Sequence, residues 1–385
     1  MTPEAVTSID SLPLFQEAMP TTTPHPIPKL RPANNHTPAK IAEKIRACGY
    51  VGQERAVKAI SLFAYRHLDR LRRVRRGLTD NLPKKTNPLL VGPTGCGKTY
   101  LIELLFNKIL KLPTVVIDIT AFSETGYVGQ DICTILTRLL FAANMNTARA
   151  ETGIVCLDEF DKIATSDQRT VTGGDGDSKD VTGFGVQREL LKMVEGTKIT
   201  VPLEINSTKY DKHVEISTAH IPFIACGAFS GLKHIIHGKH GNTVGFLQDN
   251  HSTKEKIAVS YTESDVNLVS TFQRYGFLPE LIGRFSRIVP FEALGENELR
   301  DILQQNVMPS WKDEMSSHEI EMVVDDSLVD YIVDLALKKE TGARSVESVF
   351  AQLLEDAAFD AYSCLETKRL ILNMDQGRPG YRVER

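Results

Sequence analysis

The sequence predicts an α/β protein, a five-stranded parallel sheet covered by helices on both faces, followed by a small, mostly helical second domain. Two observations carry this. From Asn87 onward, short apolar runs alternate with helical patterns, at 89–91, 115–117, 154–157, 223–226 and 288–291. Strand-helix alternation requires crossover connections, and these make the sheet parallel. After Glu296 the alternation largely stops, leaving three helical patterns near 296–306, 326–338 and 345–358. A length of 385 residues with 42% hydrophobic content supports two packed cores and a tail.

Residues 1–36 hold many Pro, Thr and Asn with no sustained apolar period, and predict a flexible leader. Order begins at Thr37-Pro38, a helix start in which the threonine caps free amides and proline lacks the amide that would go unpaired. A second helix places Val57, Ile60, Phe63, Ala64, Leu68 and Leu71 on one face. The basic run from Arg66 to Arg76 is expected on its solvated side. The stretch 165–185, rich in Gly, Asp, Thr and Ser, reads as a long mobile loop of the kind that is usually functional or disordered. The division is therefore a leader over 1–36, a large domain over 37–294 and a small domain over 295–385.

A net charge of −4 gives no overall pull toward nucleic acid or anionic membrane. The six cysteines are scattered singly, with no C-x-x-C pair to hold zinc, and suit a reducing compartment. No apolar run reaches the roughly 20 residues that span a bilayer, and the first charged residues are Glu4, Asp10 and Glu17. A cytoplasmic protein with no membrane segment, no targeting peptide and no zinc is expected.

Gly92-Pro93-Thr94-Gly95-Cys96-Gly97-Lys98-Thr99 matches G-x-x-x-x-G-K-[ST], directly after an apolar strand and directly before a helix bearing Leu101, Leu104, Leu105 and Ile109. That is the context a phosphate loop requires. Backbone amides close around the phosphates, Lys98 reaches the β and γ phosphates of ATP, and Thr99 ligates Mg²⁺. Tyr100 completes the candidate nucleotide-binding set. Further on, the strand 154–157 ends in Asp158-Glu159. Here Asp158 holds the metal through water and Glu159 orients the attacking water, since phosphoryl transfer depends mainly on positioning and charge stabilisation.

These motifs resemble the ClpX family of AAA+ ATPases, and the resemblance runs from Thr37 to about residue 362. It implies a AAA+ P-loop large domain and a small AAA+ C-terminal domain, assembled as a homo-oligomer, a hexamer, that threads protein substrates through a central pore. Tyr50-Val51-Gly52-Gln53-Glu54 resembles the box before the phosphate loop, which places Tyr50 and Val51 against adenine. The string 157–163 is similar to the family's extended Walker B motif. Gly185-Val186-Gln187 with Leu190, Leu191, Lys192 and Glu195 resembles the helix after the second pore loop, and Gly227-Ala228-Phe229 the end of the sensor-1 strand. Pro279-Glu280-Leu281-Ile282-Gly283-Arg284 resembles the segment presenting an arginine finger, so Arg284 is implied to act at a neighbour's γ-phosphate, with Arg287 as fallback. Thr341-Gly342-Ala343-Arg344 is similar to the sensor-2 motif, implying that Arg344 reads the nucleotide state.

Gly-Tyr-Val-Gly-Gln occurs twice, at 49–53 and at 126–130. Only the second stands where the family carries its first pore loop, which implies that Tyr127 and Val128 grip substrate. Val244-Gly245-Phe246 resembles the loop that docks on a ClpP-like peptidase. The sequence departs from the family in lacking its four-cysteine zinc domain, in keeping only Lys212-His213 of an Arg-Lys-His pore-entrance loop, and in the insertion 173–177. A sibling unfoldase, HslU, shares the Gly-Tyr-Val-Gly loop but carries a large inserted domain with no counterpart here. A peptidase-independent remodelling ATPase and a catalytically impaired scaffold stay open.

Overall fold

The computed structural model describes residues 37–79, 82–122, 132–165, 181–202, 213–232, 235, 266–339 and 341–385. They form two compact units. The first holds the described residues up to Ile45, then Arg55–Val91 and Lys98–Pro290; the second holds Arg46–Glu54, Gly92–Gly97 and Phe291–Arg385.

In the first unit, β1 (Pro88–Val91), β2 (Thr114–Asp118), β3 (Ile154–Asp158), β6 (Phe223–Gly227) and β7 (Arg287–Pro290) make a five-stranded sheet of order β2-β3-β6-β1-β7. Every pairing is parallel, with Leu157 opposite Ala225 and Val91 opposite both Gly227 and Pro290. All five residues of β6 are buried, as are the first four of β3. Continuous burial is what a strand covered on both faces requires, and it explains why these strands read as plain apolar runs. The apolar faces of Thr134–Ala142 (Leu136, Leu139) and Val181–Glu195 (Leu190, Met193) share one core with Ile117, Leu157 and Phe223. β4 (Lys198–Pro202) and β5 (His213–Ser217) form a separate antiparallel hairpin whose buried side chains are Val201 and Ile216.

Thr37 caps the first helix, Pro38–Ala47, by accepting from the Lys40 amide at 3.3 Å. The next helix, Glu54–Arg75, buries all six residues of its expected stripe. Its basic run is less solvated than the sequence suggests: Arg70, Arg72 and Arg73 are half-buried, Arg70 donating to the Pro83 carbonyl and Arg73 pairing with Asp69 at 2.9 Å. The expected loop 165–185 also ends early, because helix Val181–Glu195 begins before Gly185, with Val186, Gln187, Leu190, Met193 and Val194 forming a buried face.

The second unit packs Glu296–Ile302, Asp326–Lys339 and Ala343–Ser363 around Leu303, Ile332, Phe350 and Leu354. It also carries three strands unforeseen in the sequence: β8 (Glu321–Val324), β9 (Arg369–Asp375) and β10 (Arg378–Glu384), ordered β10-β9-β8. Among the described residues, no helix is long and apolar enough to cross a membrane.

Candidate active site

Three neighbouring strands of the first unit, β3, β6 and β1, end on one edge of the sheet. The carboxyl edge of a parallel sheet is where α/β folds bind ligands. From β1 the chain runs into Gly92, and re-enters the first unit at Lys98, the start of helix Lys98–Ile102. Lys98 is buried despite its charge. Thr99 Oγ1 donates to Asp158 Oδ2 at 2.8 Å, and the Glu159 amide donates to Asp158 Oδ1 at 2.9 Å. Both oxygens of Asp158 are thereby fixed, while Glu159 points outward and exposed.

Glu159 adopts φ 53°, ψ 31°, in the left-handed region. A non-glycine residue there costs on the order of 1 kcal/mol and persists only where its surroundings impose it. The imposing contacts lie just beyond, where Phe160–Ile163 forms a tight turn that buries Phe160 and Asp161. Asp161 Oδ1 accepts the Ala228 amide at 3.1 Å, tying this turn to the end of β6. Behind the carboxylates, Cys156 and Cys226 lie in contact, sulfur to sulfur at 3.6 Å. That hydrogen bond, followed by complete burial, pushes the Cys156 thiol well above its ordinary pKa and keeps it a protonated core residue.

In the second unit, the hydroxyl of Tyr50 donates to the Gly97 carbonyl at 3.1 Å, and Tyr50 is buried. The Gly95 carbonyl accepts the Ala343 amide at 2.9 Å, at the start of helix Ala343–Ser363. Gly95 and Gly342 approach so closely that a Cβ on Gly95 would lie 2.0 Å from the Thr341 oxygen, and one on Gly342 2.5 Å from the Gly95 oxygen. Cys96 is buried, Val51, Gly92, Pro93 and Thr94 belong to the same unit, and Arg344 is exposed in the first helical turn.

Arg284 is exposed and follows the one-turn helix Pro279–Ile282, with its amide bonded to the Leu281 carbonyl at 3.0 Å. Asn87 Nδ2 donates to the Arg284 carbonyl at 3.1 Å while Asn87 Oδ1 accepts the Phe223 amide at 3.0 Å. The Arg284 guanidinium pairs with Glu195. Nearby, burial, followed by the charges of Arg70 and Arg284, lowers the Lys85 pKa to about 8. Arg287 is exposed at the start of β7.

An AAA domain model (Cdc48 subfamily) matches residues 83–288, and a model for the C-terminal, D2-small domain of ClpB protein matches 294–368. The chain is 35% identical over 320 residues to the ATP-dependent Clp protease ATP-binding subunit ClpX of Porphyromonas gingivalis, covering 80% of this chain and 74% of that relative. This chain belongs to the ClpX family. It is accordingly an AAA+ ATPase, a nucleotide-binding enzyme of the ClpX chaperone type, and the ClpX-like sequence resemblance extends through both units.

Tyr100, another candidate, is exposed on helix Lys98–Ile102. The leader 1–36, Tyr127, Val128, Val244, Gly245 and Phe246 lie outside the described residues. The structure gives individual contacts to Asn87, which lies outside the sequence motifs, and to Asp161, Gln187 and Glu195, which the sequence places only within family motifs. Each has a recognisable signal in retrospect, namely a polar residue before a strand, a second acid after a strand-end pair, and polar residues at buried or terminal positions of an amphipathic helix.

Proposed function

We propose that this ATPase is a ring-forming protein unfoldase and translocase, cleaving ATP at subunit boundaries and drawing polypeptide through a central pore. The residues fit the nucleotide and Mg²⁺. Hard oxygen donors, Thr99 Oγ1 and Asp158 Oδ2, lie 2.8 Å apart, the donor type magnesium prefers. Bound Mg²⁺ would supply neutralisation of the phosphate oxygens. Gly92, Thr94, Gly95, Cys96 and Gly97 offer amides to phosphate, Pro93 shapes the loop, and Lys98 contributes the fixed charge. Tyr50 and Val51 flank the base, and Arg344 reports nucleotide state. Glu159 takes the role of orienting and polarising the attacking water, and Arg284 of a neighbouring subunit stabilises charge in the transition state.

The observation that carries the hydrolytic step of this reading is Glu159 held in a strained conformation directly after an Asp158 whose two oxygens are already engaged. An acid held there, exposed, is built for chemistry rather than for packing. Glu159→Gln should lower ATP turnover by about 100-fold or more while retaining ATP binding. Turnover equal to wild type would overturn the assignment.

Tyr127 and Val128 grip the threaded chain, six subunits close the ring, and Val244-Gly245-Phe246 docks a ClpP-like peptidase. Support comes from the resemblance of these strings and from the P. gingivalis relative, whose name makes it the ATP-binding subunit of a protease.

A further inference from the structure

We propose that Gln187 is a positioning residue for Arg284: it fixes the segment that carries the finger, and so acts on hydrolysis at the neighbouring subunit's site rather than at its own. The inference rests on the trans role of Arg284 proposed above.

Gln187 sits mid-way along helix Val181–Glu195 and is fully buried. Its Nε2 donates to the Ile163 carbonyl at 2.9 Å and to the Gly276 carbonyl at 3.1 Å, and its Oε1 accepts the Leu278 amide at 2.7 Å. Ile163 closes the turn behind Glu159, and Leu278 is the residue from which helix Pro279–Ile282 starts. One buried amide therefore joins the turn behind the catalytic acid to the entry of the finger segment. A buried amide with both donors and its acceptor engaged admits little movement, since each lost bond would strand a polar atom.

The packing nearby has the same reach. Phe160 lies 5.1 Å from Phe277 and 5.1 Å from Phe285, ring centre to ring centre, so it touches residues on either side of the finger segment. At its far end the helix supplies Glu195 to the Arg284 guanidinium.

Asp158, the first carboxylate of the subunit's own site, does not depend on Gln187. Asp158 is held by Thr99 and by the Glu159 amide, and β3 is paired on both sides. Leu278, in contrast, loses its side-chain acceptor if Gln187 is replaced. Loss of Gln187 should thus misplace the finger, and because it also frees the Ile163 carbonyl, mixing subunits separates a misplaced finger from a misplaced acid.

The experiment mixes full-length subunits and reads ATP hydrolysis with magnesium. Gln187→Met alone is expected to lose about tenfold or more in rate, with ATP affinity at its own site unchanged. Glu159→Gln subunits are inactive but keep their own finger. Equal mixing of the two should restore activity, because Gln187→Met sites then meet an undisturbed Arg284. Arg284→Ala mixed with Glu159→Gln is the reference, and Gln187→Met should recover to the same level. If Gln187→Met alone hydrolyses like wild type, or stays inactive in a mixture where Arg284→Ala recovers, the positioning role is wrong. If Arg284→Ala itself keeps full activity or fails to recover, the trans-acting finger is wrong and the inference falls with it. Should Gln187→Met not fold, Gln187→Ala, which also removes the acceptor for Leu278 and leaves room for water on the freed backbone groups, takes the same test with the same outcomes.

Discussion

His67 lies wholly inside the apolar face of helix Glu54–Arg75, stacked near Phe63 with ring centres 6.4 Å apart. Its Nε2 stands 3.4 Å from the Thr152 carbonyl, which a neutral ring satisfies by donating. Burial, reinforced by the charges of Arg70 and His220 and opposed by the Thr152 bond, lowers its pKa from 6.5 to about 4. Between these values the unfolded chain binds a proton that the folded one refuses. Stability from this residue is therefore intact above pH 6.5 and falls as pH drops to 4, by roughly 3 kcal/mol for the span. His67→Phe keeps the ring and removes the proton site, so its denaturant midpoint should vary less with pH across that window. Parallel profiles for the two proteins would contradict the assignment. The stripe of Val57, Phe63 and Leu71 was legible because apolar residues recur at the helical period, and His67 falls four residues after Phe63 on that same face. Its neutrality was not legible, because it depends on Thr152, which a different element brings up.

The five sheet strands were legible as elements because burial on both faces demands unbroken apolar runs, and β3 and β6 supply them. β9 and β10 were not, since each mixes exposed charged residues with few buried ones. Their turn does carry a signal: Gln376 at φ 48° and Gly377 at φ 79° form a two-residue hairpin connection in which glutamine stands where asparagine or aspartate is usual. The helix Ala343–Ser363 depends on another such feature. Gly342 has φ 62°, and its neighbour Ala343 gives its amide to Gly95 of the phosphate loop. Gly342→Ala adds a strained conformation and a clash with the Gly95 oxygen, together costing on the order of 1–3 kcal/mol. ATP affinity, titrated in the Glu159→Gln background, should weaken by about tenfold, while the sheet-bearing unit unfolds as before. An unchanged affinity would show that the loop does not need this support.

At the scale of the whole molecule, the phosphate loop was legible from eight consecutive residues, but its grouping with the second unit was not. That grouping follows from backbone approach between Gly95 and Thr341, nearly 250 positions away in sequence, where no periodicity can signal it. The proposed threading of polypeptide belongs to this scale too, because hydrolysis would do work on a chain only if something holds it. Tyr127 offers an aromatic ring between Gly126 and Gly129, able to bury apolar surface against any side chain without reading its identity. The proposed ATP-site residues Lys98, Thr99, Asp158 and Glu159 belong to helix Lys98–Ile102, to β3 and to the residue after it, and separate mutations test grip and hydrolysis independently. Tyr127→Ala should keep ATP turnover within about twofold and slow unfolding of a stable, tailed reporter protein by about tenfold or more. Deleting Val244, Gly245 and Phe246 is the complementary change: reporter unfolding persists while stimulation of a ClpP-type peptidase is lost. Measuring ATP turnover, unfolding and peptidase stimulation on both variants separates grip from docking. Unimpaired unfolding by Tyr127→Ala would remove this tyrosine from the translocation path, because a chain that advances without the ring is being held elsewhere.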